Sequence, residues 1–278
     1  MKIKPVPLIA LGALLPSLSP AATLTHRWSF NGDLTDSVGA QNAQILDADN
    51  DGATGGGSVL GADSVALFGG VNAQSNYVDL GPNLLATNAV TLELWATQNT
   101  VKNWSRIFDI GGATVNGGAN DNLIMSWTRE NNLNSDQVEY RETTLAETGV
   151  NSNTNQPYSL GTEFHIAMTL DNTIDGTTTV TWYSADSFGA LLGGPKGTFS
   201  IATNLASFDD PVAWLGRSHF DGDNTADASY NEFRVYNGVL SQSELQANHL
   251  AGANSLVPEP SSLLLGALSL LGLLRRKR

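Results

Sequence analysis

Alternating carboxylates near the start of the chain are the residues best suited to bind a metal ion. Asp47, Asp49 and Asp51 are each separated by one residue and are followed by Gly52. Ca²⁺ prefers several oxygen ligands at short range, and a glycine permits the sharp turn that brings them together. A complete EF-hand loop would also need a bidentate acid at its twelfth position, which is Ser58 here. The stretch therefore predicts an isolated Ca²⁺ loop, with a solvated acidic turn as the alternative.

Aromatic side chains next to polar loops are candidates for contacts with sugars. Trp104 lies at the expected entry to a strand, and Trp127 precedes a polar loop at 128–135. A sugar ring needs an exposed aromatic face with polar groups around it, whereas aromatic residues in strands mostly pack in the core. We therefore take Trp104 and Trp127 as ligand-binding candidates, with core packing as the alternative for both.

Residues for catalysis are scarce. The chain has no cysteine, no Gly-x-Ser-x-Gly nucleophile motif and no His-Glu-x-x-His zinc motif, and its four histidines are scattered. We therefore expect that the protein is not an enzyme.

Short alternating strands must position these side chains. The run 230–241 shows the pattern, because Phe233 and Val235 fall on one face of an extended strand and Glu232 and Arg234 fall on the other. The segment Ser241–Glu244 is a capping box that opens a short helix. Similar runs recur between Gly, Asn and Asp clusters, which predicts an all-β sandwich or jelly roll over residues 23–253.

Both ends of the chain are typical of targeting segments. Residues 1–22 combine two lysines, a short apolar run and small residues, which predicts a secretory signal peptide. Residues 254–278 combine a linker, Pro258, Glu259 and Pro260, an apolar run and four basic residues. This end resembles the PEP-CTERM sorting signal of Gram-negative bacteria. The resemblance implies recognition by an exosortase-type membrane enzyme, removal of the tail and delivery to the outer surface or extracellular matrix; a simple membrane anchor is the alternative.

The charge distribution excludes one class of partner. The net charge is −13, and outside the two end segments 26 acids face only 8 bases. A nucleic-acid-binding protein needs a basic patch to displace counterions. We therefore expect no nucleic-acid partner, and we expect membrane contact only through the end segments.

Six segments in order carry a resemblance to a known family. They are HRWSFNGDLTDSVG at 26–39, YVDLG at 77–81, VTLELWAT at 90–97, WSRIFDIGG at 104–112, WLGRS at 214–218 and YNEFRVYNGVLSQSE at 230–244. Together they resemble the laminin-G-like family, which has the concanavalin A-like jelly-roll fold. The resemblance implies the fold more strongly than the ligand, because this fold hosts many functions.

The resemblance also implies a second candidate metal site. In such jelly rolls the first and last strands are neighbours, and Ca²⁺ is often held by acids in the rim loops. Asp36, Asn231 and Glu232 are therefore further candidate ligands, and an ion pair of Glu232 with Arg27 or Arg234 is the alternative. A glucanase of this fold would carry two catalytic acids on one strand, and the strand at 91–95 holds only Glu93.

These observations together predict an exported, non-catalytic binding domain for carbohydrate or other matrix material, with Ca²⁺ as the expected cofactor. Two alternatives stay open. One is a structural surface or matrix protein without a discrete ligand, and the other is a divergent glycan-active enzyme.

Overall fold

The fold is a sandwich of two antiparallel β-sheets, seen in a computed structural model that describes residues 21–48, 57–72, 75–85, 88–112, 121–130, 136–142, 148–152, 158–186 and 192–257. Within these ranges the chain forms fifteen strands. They are β1 (Thr23–Trp28), β2 (Gln44–Asp47), β3 (Ser58–Leu60), β4 (Val65–Gly70), β5 (Asn76–Asp79), β6 (Ala89–Thr100), β7 (Arg106–Gly111), β8 (Asn122–Ser126), β9 (Asp136–Arg141), β10 (Thr148–Ser152), β11 (Glu163–Ile174), β12 (Thr177–Asp186), β13 (Gly197–Ile201), β14 (Val212–Leu215) and β15 (Thr225–Asn237). A 3₁₀ turn at Leu205–Ser207 and one helix, α1 (Gln242–Ala251), complete these elements. The predicted all-β sandwich with a short C-terminal helix is confirmed.

The first sheet is organised around β15. Its strand order is β13-β12-β11-β6-β15-β4-β3, and β1 also pairs with β15. The early part of β15 pairs with β4 and the later part with β1, with Arg27 opposite Arg234 and Trp28 opposite Phe233. The expectation that the first and last strands are neighbours is therefore confirmed.

The second sheet has the order β10-β9-β8-β7-β14-β5-β2. Its inner face meets the inner face of the first sheet, and alternate residues of both sheets form one core. Phe233 from the first sheet packs on Phe108 from the second, with ring centroids 6.4 Å apart. Each such fully buried side chain contributes about 1.5–3 kcal/mol relative to exposure.

Helix α1 covers part of the outer face of the first sheet. Ser241 accepts a hydrogen bond from the Glu244 amide, and the Glu244 side chain accepts one from the Ser241 amide, so the predicted capping box is confirmed. Leu245 of α1 is fully buried in a small cluster with Tyr236 and Ala167 of the sheet. The part of the outer face around Tyr236 and Ala167 is therefore covered by the end of the domain.

Several sequence predictions concern residues outside the described ranges. Most of the expected signal peptide, the acids Asp49 and Asp51, and the motif Pro258, Glu259 and Pro260 are among them. Among the residues that are described, no helix has the length and apolar character needed to cross a membrane.

Candidate functional site

Glu232 lies at the centre of a buried ion-pair cluster between the first and last strands. Its side chain is fully buried and accepts hydrogen bonds from Arg27 Nε at 2.8 Å and Arg27 Nη2 at 3.2 Å. Arg234 Nε and the backbone amide of Asn254 also donate to it. Burial by itself raises the pKa of Glu232, but the hydrogen bonds and positive charges of Arg27 and Arg234 outweigh it and hold the pKa below its usual value.

Asp36 closes the adjacent loop through backbone amides. Its Oδ1 accepts hydrogen bonds from the amides of Arg27 at 2.9 Å, Gly39 at 2.9 Å and Val38 at 3.1 Å, and its Oδ2 lies 2.7 Å from His26 Nδ1. A Cβ at Gly39 would lie 2.3 Å from Asp36 Oδ2, so glycine is needed for this close approach. Burial by itself raises the pKa of Asp36, but the hydrogen bonds from Arg27, His26, Gly39 and Val38 lower it by more, so the pKa lies below its usual value.

The structure thus gives the predicted metal ligands other partners. Asn231 donates to Glu163 Oε1 at 2.9 Å and accepts from Asn254 Nδ2 at 3.1 Å. Asp47 lies at the end of β2. In the described part of the chain, no group of three or more His, Asp or Glu residues is arranged to hold a metal ion. The alternative interpretation of Glu232, an ion pair that joins strands, matches its observed contacts.

The ion-pair cluster continues beneath α1. The guanidinium of Arg234 lies 4.4 Å from the centre of the Trp95 ring and 3.8 Å from Glu93 Oε2. Glu93 is fully buried, lies 3.1 Å from His165 Nε2 and accepts from Asn248 Nδ2 of the helix at 2.9 Å. Glu93 therefore links the helix to the sheet through a hydrogen bond, and this role accounts for a carboxylate in a buried strand.

The outer face of the second sheet carries a different polar arrangement. Asp79, Trp214, Asp109, Ile124 and Glu139 lie opposite one another on five successive strands, and we call them the acidic row. Their neighbours along each strand point into the core, so the row faces outward. Burial raises the pKa of Asp79 above its usual value, and a hydrogen bond from the Gly81 amide offsets only part of this effect.

The loop between β14 and β15 covers part of the acidic row. The amide of His219 donates to Asp109 Oδ2 at 2.8 Å, and the His219 ring stacks on Trp214 with centroids 4.5 Å apart. Arg217 places its guanidinium 4.5 Å from the Trp214 ring centre and 4.6 Å from that of Tyr77. Arg217 is only half-buried, so this cation and its aromatic neighbours form the accessible edge of the face.

Trp104 lies near the end of the same face, beside Arg106. It is half-buried and has a φ of 54°, an unusual conformation for a bulky residue. The guanidinium groups of Arg106 and Arg129 lie 5.9 and 5.6 Å from the centre of its ring, and Arg106 Nη1 donates to the Trp104 carbonyl at 2.7 Å. Such strain persists only where the surrounding contacts enforce it, and it is common at binding sites.

Trp127 occupies a different environment from Trp104. It is 1 % exposed within the core and contacts Tyr158 edge to face, with centroids 5.1 Å apart. Trp127 therefore packs in the core, which was the alternative to its interpretation as a ligand-binding residue. Sequence reasoning did not single out Arg129, Arg217, Trp214 or Asp109; the apolar–polar alternation at 106–110 was the available signal for Asp109.

Two sequence profiles match parts of the chain. A sequence profile described as the concanavalin A-like lectin/glucanases superfamily matches residues 72–246. A second profile, the PEP-CTERM protein-sorting motif, matches residues 256–278. No curated protein matches the chain.

Solved structures of low sequence identity share the fold. Domain 4 of AbnA, a GH43 extracellular arabinanase from Geobacillus stearothermophilus in complex with arabinotriose, has a TM-score of 0.55 and 18% identity, over 81% of this chain and 97% of that one. The botulinum neurotoxin serotype D binding domain has a TM-score of 0.51 and 13% identity, over 80% and 50%. A Trypanosoma rangeli sialidase has a TM-score of 0.53 and 16% identity, over 84% and 33%. The chain thus spans half of the second structure and a third of the third.

Proposed function

This chain belongs to the concanavalin A-like lectin/glucanase superfamily and carries a PEP-CTERM sorting motif, and we propose that it is an exported, non-catalytic domain that binds carbohydrate or another matrix polymer. The observation that carries the proposal is Trp104, a half-buried aromatic residue in a strained conformation at the end of the polar outer face of the second sheet.

The chemistry of this face suits a sugar. A pyranose or furanose ring packs its C–H groups on an aromatic surface, while charged and amide groups bond its hydroxyls. Trp104 would supply the aromatic contact, and Arg129, which is half-buried with its guanidinium 5.6 Å from the centre of the Trp104 ring, would supply donors beside it. Arg217 and Asp79, which are both half-buried, extend the polar surface along the sheet. The arabinanase domain solved with arabinotriose supports the proposal at the level of fold alone.

The two end segments determine the proposed destination. Residues 1–22 would direct export, and the apolar run and basic end of the tail would hold the protein in the membrane until an exosortase-type enzyme removes the tail. The released domain would then lie on the outer surface or in the extracellular matrix of a Gram-negative bacterium.

Binding to a glycan array with and without Ca²⁺ tests the proposal. We expect binding to defined oligosaccharides, with at least a tenfold loss of affinity in Trp104→Ala and a smaller loss in Arg129→Ala. Phe68→Ala is the matched control, because Phe68 is 44% exposed on the other sheet. Retained affinity in Trp104→Ala would exclude this site, and absence of any binding would favour a structural matrix protein without a discrete ligand.

Ca²⁺ dependence forms a separate part of the proposal. Asp47, with Asp49 and Asp51 of the same acidic stretch, is the first candidate site, and Asp36, Asn231 and Glu232 are the second. Calorimetric titration should show uptake of Ca²⁺, and a chelator should lower the melting temperature. Triple replacement of the three acids of the first site by Asn should remove both effects.

A glycan-active enzyme is the alternative that one observation favours. Asp109 and Glu139 lie in the acidic row with one strand between them, so their Cα atoms are about 10 Å apart. Inverting glycosidases hold two carboxyl groups about 6.5–9.5 Å apart. Asp109 accepts a hydrogen bond from the His219 amide, which fits a fixed structural role better than proton transfer. Release of reducing sugars from polysaccharides that is lost in Glu139→Gln would establish the enzyme instead.

A further inference from the structure

The linker after α1 is held on the first sheet by hydrogen bonds of Asn254. The Asn254 amide donates to the buried Glu232 carboxylate. Its side-chain Oδ1 accepts from Asn31 Nδ2 at 2.7 Å, and its Nδ2 donates to Asn231 Oδ1 at 3.1 Å. The φ of Asn254 is 65°, a left-handed conformation that asparagine tolerates better than most residues. Hydrogen bonds to three residues thus hold one exposed residue in place.

The next residue, Ser255, is held by a charged group. Its carbonyl accepts a hydrogen bond from Arg234 Nη2 at 2.7 Å, and Arg234 is fully buried. Hydrogen bonds from an ionised donor are about twice as strong as neutral ones. Without this contact, part of a buried guanidinium would have no acceptor, which is unfavourable. We call Asn31, Asn231, Glu232 and Arg234 the linker dock.

The tail begins very close to this dock. The apolar run starts at Ser261, six residues after Ser255. However these residues fold, six residues of chain span at most about 20 Å. A domain of this length has a radius of gyration of about 17 Å, so its diameter is about 45 Å. The connection is therefore less than half as long as the domain is wide.

We propose that the linker dock fixes the orientation of the domain while its tail lies in a lipid bilayer. The outer face of the first sheet, with the dock and α1, then faces the membrane. The outer face of the second sheet, with Trp104, faces away, because the two sheets are packed with their inner faces together. This inference rests on the proposed membrane anchoring of the tail and adds that one particular face of the domain meets the lipid.

The absence of cysteine makes the orientation measurable, because single cysteines label uniquely. Ala251→Cys places a dye at the exposed end of α1, near the dock. Gly222→Cys places a dye on the loop over the second sheet, where an added Cβ meets nothing within 4 Å. The chain from residue 23 to 278 is inserted into liposomes of phosphatidylcholine and phosphatidylglycerol that contain an acceptor-labelled lipid. We expect energy transfer from position 251 to be at least threefold that from position 222.

Breaking the dock should remove this asymmetry. Asn254→Ala deletes the bonds to Asn31 and Asn231 and should bring the ratio of the two transfers below 1.5. Asn83→Ala is the matched control, because Asn83 also has a positive φ, 61°, and lies apart from the linker. Asn31→Ala provides a second, milder variant on the domain side of the dock.

Flotation of the labelled chain with liposomes separates the two proposals. A chain that does not float refutes membrane anchoring, and with it the orientation. A chain that floats but gives equal transfer from both positions refutes the orientation alone. An asymmetry that persists in both Asn254→Ala and Asn31→Ala would show that the dock does not set the orientation.

Discussion

Replacement of Glu232 by Gln tests whether the ion-pair cluster holds the two ends of the domain together. The native carboxylate is fully buried and accepts from Arg27, Arg234 and the Asn254 amide. The substituted glutamine side chain keeps the volume but removes the negative charge and leaves only one acceptor oxygen. Among the described residues, Glu93 at 3.8 Å is then the one charged partner left to Arg234, which is also fully buried.

The expected loss of stability is about 3 kcal/mol. Breaking a buried ion pair by removal of one partner costs about 3–5 kcal/mol, because a buried charge is left uncompensated. The lower end of the range applies here, since Glu93 still offsets part of the Arg234 charge. Arg27→Ala should cost less, about 1–2 kcal/mol, because Arg27 is 16% exposed and leaves Glu232 paired with Arg234.

Equilibrium unfolding in urea measures both losses. For a domain of this size the slope is about 2–3 kcal/mol per molar urea, so Glu232→Gln should lower the midpoint by about 1–1.5 M with an unchanged slope. Glu130→Gln is the control, because Glu130 is an exposed acid in a loop of the other sheet. A midpoint shift below 0.3 M, about 0.6–0.9 kcal/mol at that slope, would refute the role of the cluster.

The same experiment with a chelator distinguishes the ion pair from a metal site. If Glu232 bound Ca²⁺, a chelator would lower the wild-type midpoint to that of Glu232→Gln and leave the variant unchanged. If it joins strands, the difference between wild type and variant should be the same with and without chelator.

Three further outcomes are expected. Burial raises the pKa of Asp210 to about 6, so the folded state binds this proton more tightly than the unfolded state does. The free energy of unfolding should therefore rise by about 1 kcal/mol as the pH falls from 7 to 5. Asp210→Asn should remove this increase in urea titrations. The pKa values of Glu232 and Asp36 are lowered, so their contribution is complete above the unfolded values near 4–4.5 and should be lost as the pH falls below them, which thermal melts at pH 3 will reveal. Ser241→Ala should lower stability by about 1 kcal/mol, measured as a fall of about 2–4 °C in melting temperature, because it deletes the N-cap of α1.

Local patterns were sufficient to predict the elements but not the outer faces. The alternation of Phe233 and Val235 with Glu232 and Arg234 predicts which side of β15 faces the core, and Ser241 with Glu244 predicts the start of α1. The short edge strands β2 and β3 had no such signal, because four and three residues are too few to show a period.

The contacts that define the candidate site are long-range, and a sequence period carries no information about them. Asp109 and His219 are 110 residues apart and meet only because β7 pairs with β14. Trp104 and Trp127 both lie next to polar residues in the sequence, yet Trp104 adopts a positive φ at the rim and Trp127 enters the core. The backbone conformation decides whether the tryptophan lies at the rim or in the core, and the neighbouring residue types do not indicate that conformation.

The two outer faces of the sandwich have different consequences for function. The first sheet buries its outward charges, Glu93, Glu232 and Arg234, beneath α1 and the linker. Its pairing of β1 with β15 joins residues 205 positions apart, so the contacts that hold Asn254 exist only when both ends of the domain have folded together. The second sheet instead keeps Arg217 and Trp104 partly accessible at the edge of the acidic row. The aromatic and cationic groups that we propose to bind a ligand therefore lie on the second sheet, while α1 and the linker cover the charges of the first sheet next to the start of the sorting tail.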